Sequence, residues 1–267
     1  MTPCVFILGV SSDIGRELGL RYTRAGWRVV GTYRTAHYKE GLPNDWVLFP
    51  CDVLDQSQID QITAQCLKME IQWETWISAV GVLDPIGPFS QVSFSDWERS
   101  VQANCLAPLS VLHSMYPFRS IGNMSSVAFF AGAGSNGPAT NYSAYCASKI
   151  FLIKMTELLD DENPDLNVFI IGPGIVKTRI HQQTIVAGSR AGMNLEKVNS
   201  FLTNETAGVS HDEIFDCLMW CHKAGKEVVG GRNISLVGDA WRSGGLALKD
   251  KLLSNSQIYK LRRFGND

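Results

Sequence analysis

No apolar run in the chain approaches the roughly 18 residues that a membrane-spanning helix needs. A net charge of -2 leaves no electrostatic footprint for nucleic acid or an anionic membrane, so neither is expected as a partner. The first β-prone run begins almost at Met1 with no space for a leader, which reads as a cytoplasmic protein. A disulfide framework is also missing. Cys4, Cys51, Cys66, Cys105, Cys146, Cys217 and Cys221 are odd in number and scattered through apolar segments, so they read as reduced core residues. Cys217, Cys221 and His222 share one predicted helix, but no second ligand pair at zinc spacing follows and no metal is expected. There are no internal repeats, low-complexity tracts or linkers, and 267 residues at 45% hydrophobic and 19% charged suit one domain spanning 1–267.

What is present is a regular alternation of strand and helix patterns. Strands are predicted at 5–8, 28–32, 47–50, 75–79, 120–124, 167–171 and 233–237. Between them, Ile14, Leu18, Tyr22 and Ala25 stripe a first helix, and 56–69 forms another with Ile59, Ile62, Cys66 and Leu67 inward. A long helix opens at Phe94 and is kinked by Pro108; a further helix carries Tyr145 and runs to about Asp160, and Ser210 with Glu213 makes a capping box. This alternation implies an α/β fold: a Rossmann-like, doubly wound parallel sheet between two helical layers, with ligands at the carboxyl ends of its strands.

Two motifs carry chemistry on their own terms. The run Gly9-Val10-Ser11-Ser12-Asp13-Ile14-Gly15 joins the first strand to the first helix, a turn that lets backbone approach a pyrophosphate while helical N–H groups hold its charge. Tyr145 and Lys149 lie four residues apart on a helix, so phenol and ammonium share a face. At about 4 Å and an effective dielectric near 20, the ammonium favours phenolate by about 4 kcal/mol, enough to draw the tyrosine from about 10 towards 7.

The glycine turn, Asp52-Val53, Asn104, Ser125-Ser126, Tyr145/Lys149 and Pro173-Gly174 with Thr178 occur in the order seen in the short, single-domain form of the short-chain dehydrogenase/reductase family, which the chain resembles over about residues 4 to 240. The resemblance implies an oxidoreductase, a carbonyl reductase/alcohol dehydrogenase that moves hydride between a nicotinamide and a small carbonyl or hydroxyl metabolite, which the polar residues of 179–208 suggest is polar. Tyr145 would be its general acid/base, Lys149 would tune it and bind the nicotinamide ribose, Ser126 would polarise the carbonyl oxygen, and Asn104 would anchor a water. Gly9, Ser11, Ser12, Ile14, Gly15, Asp52, Val53, Gly81, Pro173, Gly174, Ile175 and Thr178 would complete the cofactor site.

At the end of the second strand Tyr33 occupies the usual place of an acid that binds ribose hydroxyls, Arg34 follows, and no Asp or Glu lies from Val29 to Lys39. This points to NADP(H), with Arg34 at the 2′-phosphate, and leaves NAD(H) open.

Three departures from the family pattern stand out. Asp13 replaces the middle glycine. Ser78-Ala79-Val80-Gly81 replaces Asn-Asn-Ala-Gly. Ser126 and Tyr145 are 19 positions apart, more than usual, which implies an enlarged loop over Phe129 to Asn141. A polar lid is expected over about 179–208. A sugar-nucleotide epimerase or dehydratase, and a catalytically idle cofactor-binding regulator, are the alternatives. Leu106, Val111, Phe151 and Ile153 suggest second apolar faces on the long helices, and by resemblance a homodimer or homotetramer.

Overall fold

Seven parallel strands in the computed structural model, which describes residues 2–263 apart from the side chains of His37 and Tyr38, form one sheet in the order β3-β2-β1-β4-β5-β6-β7. They are β1 (Cys4–Leu8), β2 (Arg28–Tyr33), β3 (Val47–Pro50), β4 (Thr75–Ser78), β5 (Ser125–Phe130), β6 (Leu166–Gly172) and β7 (Asn233–Ser235). Strand periodicity sends alternate side chains into two cores. Val5 and Ile7 of β1, Ala128 and Phe130 of β5, and Phe169 and Ile171 of β6 enter one. Phe6 and Leu8, Val127 and Phe129, Val168 and Ile170 enter the other.

Helices α1 (Asp13–Arg24) and α2 (Gln56–Lys68) flank the N-terminal half. Leu18 and Tyr22 of α1 are buried, as are Ile59, Ile62 and Cys66 of α2, while Leu67 is 71% exposed and is not the inner residue its spacing suggested. The long helix breaks into α3 (Phe94–Val101), a wide π turn at Gln102–Leu106, and α4 (Ala107–Met115). Pro108 explains the break, because the ordinary helical donor to the Asn104 carbonyl would be the N–H that proline lacks. α5 (Ser143–Glu162) carries Tyr145 and Lys149. Beyond β6 the lid region is helical, with α6 (His181–Ala187) and α7 (Met193–Thr203), followed by α8 (His211–Ala224), α9 (Lys226–Val229) and α10 (Leu246–Ser254). The predicted capping box of Ser210 and Glu213 opens α8.

The fifth strand is where the sequence reading fails. It runs over Ser125–Phe130 rather than 120–124, and all six residues are buried, whereas Ile121 is 84% exposed. A serine pair looks like a strand end, but here it is the strand's start. Of the four residues proposed for second helical faces, Val111 and Ile153 are buried within the chain, and Leu106 and Phe151 are 48% and 40% exposed. Among the described residues no helix is long and apolar enough to cross a membrane.

The chain moves outward from β1 to β3 and then crosses to β4 on β1's other side. This switch point opens a cleft at the carboxyl ends of the strands, where open α/β sheets bind ligands.

Candidate active site

A continuous cleft of about 2050 Å³ runs across that edge, lined by residues from the glycine turn, the ends of β2 to β6, α5 and the lid. Gly9, Ser11, Ser12, Ile14, Arg34, Asp52, Val53, Gly81, Tyr145, Lys149, Pro173, Gly174, Ile175 and Thr178 all line it. Gly15, Asn104 and Ser126 do not.

The glycine turn is shaped by its own packing. Gly9 has φ +81° and donates its N–H to Thr32 Oγ1 at 2.9 Å. Gly15 sits behind the lining, where a Cβ would come within 2.3 Å of the Gly9 carbonyl. Ser12 caps α1 by accepting the Gly15 N–H at 3.0 Å. The result is a bare backbone surface at a helix N-terminus, and it fits a dinucleotide diphosphate. Asp13 does not cap the helix with its side chain. It accepts from the backbone N–H and Nε of Arg179 instead.

Beyond β4, Asn104 is fully buried and holds the Val82 backbone at both ends, accepting its N–H and donating to its carbonyl, each at 2.8 Å. It positions the loop that follows Gly81 from behind. Gln183 of the lid grips the same loop, accepting the N–H groups of Leu83 and Asp84 at 2.8 and 3.0 Å. After β3, Asp52 Oδ1 accepts the Leu54 N–H at 3.1 Å, and Gly174 (φ +77°) turns the chain below Ile175.

Lys149 is 5% exposed; its Nζ donates to the Phe130 carbonyl at 3.0 Å and lies 5.6 Å from the Tyr145 ring centre. Burial pushes this lysine down to about 8, partly opposed by Cys105. Burial pushes the half-buried Tyr145 phenol up to about 12, and Cys146 adds in the same direction. The expected drop of Tyr145 towards neutrality is therefore corrected: desolvation raises it, and at neutral pH this phenol carries its proton.

Ser126 requires the larger correction. It is 1% exposed at the amino end of β5, level with Thr75 and Asn167, and shares a 2.8 Å hydrogen bond with His222 Nδ1 of α8. It faces away from the cleft. At the carboxyl end of the same strand, Gly132 lies against the phenol, and a Cβ there would sit 2.5 Å from Tyr145 Oη. Gly134 makes a similar close approach to Cys146. The long spacing between Ser126 and Tyr145 was the available signal: β5 extends to Phe130, and no enlarged loop is needed to account for it.

A family model described as short chain dehydrogenase matches residues 3–187. The chain belongs to the short chain dehydrogenase family. Short-chain dehydrogenase/reductase olcF of Penicillium canescens is 29% identical over 188 residues, 66% of this chain and 70% of its own. Serine 3-dehydrogenase of Agrobacterium fabrum is 23% identical over 236 residues, 85% of this chain and 91% of its own. Among solved structures, a short chain dehydrogenase/reductase of Saccharomyces cerevisiae matches with a TM-score of 0.78 at 18% identity, covering 91% of this chain and 99% of that one. A short chain dehydrogenase of Shigella flexneri complexed with NADP gives 0.71 at 20% identity, covering 88% and 96%. The structural likenesses carry the fold. Family membership makes this chain an NAD(P)-dependent oxidoreductase acting on alcohol or carbonyl groups. In this short chain dehydrogenase, Gly132 places no side chain against the tyrosine.

Proposed function

We propose that this short chain dehydrogenase is an NADP(H)-dependent carbonyl reductase/alcohol dehydrogenase for a small polar metabolite. The observation that carries the reading is the convergence of the glycine turn, Tyr145 and Lys149 on one cleft. NADP(H) supplies or accepts the hydride when bound, with Gly9, Ser11, Ser12 and Ile14 at its diphosphate, Asp52 and Val53 near the adenine, and Gly81, Lys149, Pro173, Gly174, Ile175 and Thr178 along the nicotinamide half. Tyr145 holds its proton at Oη and delivers it to the carbonyl oxygen in reduction, and takes it back in oxidation. Lys149, fixed by the Phe130 carbonyl, supplies positive charge as that proton leaves.

Preference for NADP(H) is supported by Arg34, which is exposed at the cleft and has no hydrogen-bond or ion-pair partner among the described residues. A polar substrate is supported by Gln182, Gln183, Arg190, Asn194 and Lys197, all lid residues lining the cleft. Exposed Leu106 and Phe151 support a homodimer or homotetramer through the π turn before α4 and through α5. Light scattering should show a mass that is a multiple of 29.5 kDa, falling to one chain in Leu106→Glu/Phe151→Glu.

The deciding experiment follows absorbance of the reduced nicotinamide during a screen of ketones, sugars, hydroxy acids and their aldehydes. Turnover that prefers NADPH and is lost at least about 100-fold in Tyr145→Phe is expected. Dinucleotide binding with no turnover of any carbonyl or alcohol would overturn the reading.

A further inference from the structure

Asp13 and Arg179 are 166 positions apart and meet in the lining of the cleft. Arg179 directly follows Thr178 and begins the lid. It holds the glycine turn three times: its backbone N–H donates to Asp13 Oδ2 at 2.5 Å, Nε to Asp13 Oδ1 at 2.6 Å, and Nη2 to the Ser11 carbonyl at 3.0 Å. The two side chains are 52% and 27% exposed, so the ion pair alone is worth little to stability. Its place gives it a role. Asp13 is the first residue of α1, where the helix dipole and unpaired N–H groups attract an anion, and an unmatched carboxylate there repels a diphosphate. The guanidinium cancels that carboxylate. Because the same residue also bonds Ser11 through its side chain and Asp13 through its backbone, cancelling the charge and fastening the lid are one event.

We infer, resting on the reading of this cleft as a dinucleotide site, that Arg179 is the positioning residue that makes an acidic glycine turn compatible with a diphosphate and anchors the start of the lid over it. Asp13 and Arg179 then act alike on the lid and oppositely on the anion. Breaking the clasp from either side loosens the start of the lid, which Gln183 still ties to Leu83 and Asp84. Removing the arginine leaves a bare carboxylate at the diphosphate, whereas removing the carboxylate takes away that repulsion and keeps the guanidinium, still bonded to the Ser11 carbonyl.

Arg179→Ala and Asp13→Asn test this, each measured by hydrogen exchange of backbone amides 179–192 in the protein alone and by calorimetric NADP+ affinity. Both variants should exchange faster across 179–192. Arg179→Ala should bind NADP+ about tenfold or more weakly, and Asp13→Asn at least as tightly as wild type. Parallel affinity losses in both variants would mean a merely structural tie and overturn the inference. So would exchange unchanged in either variant, or wild-type affinity in Arg179→Ala. A wild-type protein that binds neither NADP+ nor NAD+ would instead remove the dinucleotide reading and this inference with it.

Discussion

Gly132 and Tyr145 are in contact so close that a Cβ on the glycine would lie 2.5 Å from the phenol oxygen and 2.7 Å from Cε1. The tyrosine's place in the cleft therefore depends on the absence of a side chain. Gly132→Ala must displace the ring from its present place. A displacement near 1 Å costs up to about 100-fold in rate, so kcat should fall about 10- to 100-fold while dinucleotide affinity stays within about twofold. Steady-state kinetics beside calorimetry checks this; wild-type kcat would mean that the ring yields without consequence.

Ser126→Ala makes the opposite case. It removes the partner of His222 at the far end of β5, leaving the imidazole Nδ1 unpaired against the sheet. Stability should fall by about 1–3 kcal/mol, the range for an unsatisfied buried polar group, with kcat unchanged. Urea unfolding measures the first and turnover the second. A loss of turnover near 100-fold in a folded Ser126→Ala protein would return Ser126 to the active site.

Arg34→Ala should weaken NADPH by about 1.5–3 kcal/mol, the range for hydrogen bonds to a charged group, and leave NADH nearly unchanged. Titration of both reduced cofactors is the measurement. Equal losses for the two would mean that Arg34 does not meet the 2′-phosphate.

Buried Lys149 also gives stability a pH signature. Its folded value is about 8 against 10.5 for a free lysine, so below 8 both states hold the proton and folding bears the full cost of burying the charge. Between 8 and 10.5 the unfolded chain still binds a proton that the folded protein has released, and stability from this group rises with pH. Tyr145 acts in reverse above 10, because the folded phenol keeps its proton to about 12 while the unfolded one loses it. The stability gap between wild type and Lys149→Met should therefore narrow as pH rises from 7 to 10. Urea midpoints across that range decide it, and a gap independent of pH would show the lysine is not desolvated.

Local patterns in the sequence reported the scaffold well. β3 runs from Val47 to Pro50 as its apolar run predicts, and the Ser210/Glu213 box opens α8, because both depend on neighbours a few residues away. Tyr145 and Lys149 were legible for the same reason, being one helical turn apart. What escaped depended on distance or on environment. Ser125 and Ser126 resemble a strand end, and only pairing with β4 and β6 shows that they begin β5. Gly132 carries no chemistry in isolation; it matters because α5 packs on it. Asp13 finds its partner, Arg179, in a segment that spacing cannot bring near. Burial of Tyr145 reverses the direction that a two-charge estimate gives, since desolvation belongs to the whole fold and not to the pair.

Arg179 grips the glycine turn on the β1 side of the switch point, and Gln183, four residues later, grips the backbone of Leu83 and Asp84 on the β4 side. One short stretch thus spans both lips of the cleft, more a crossbar than a flap. A molecule seated beneath it is bordered by bonds on both sides. Changes at Gln183 should therefore register in dissociation rates while the pocket's own contacts stay intact.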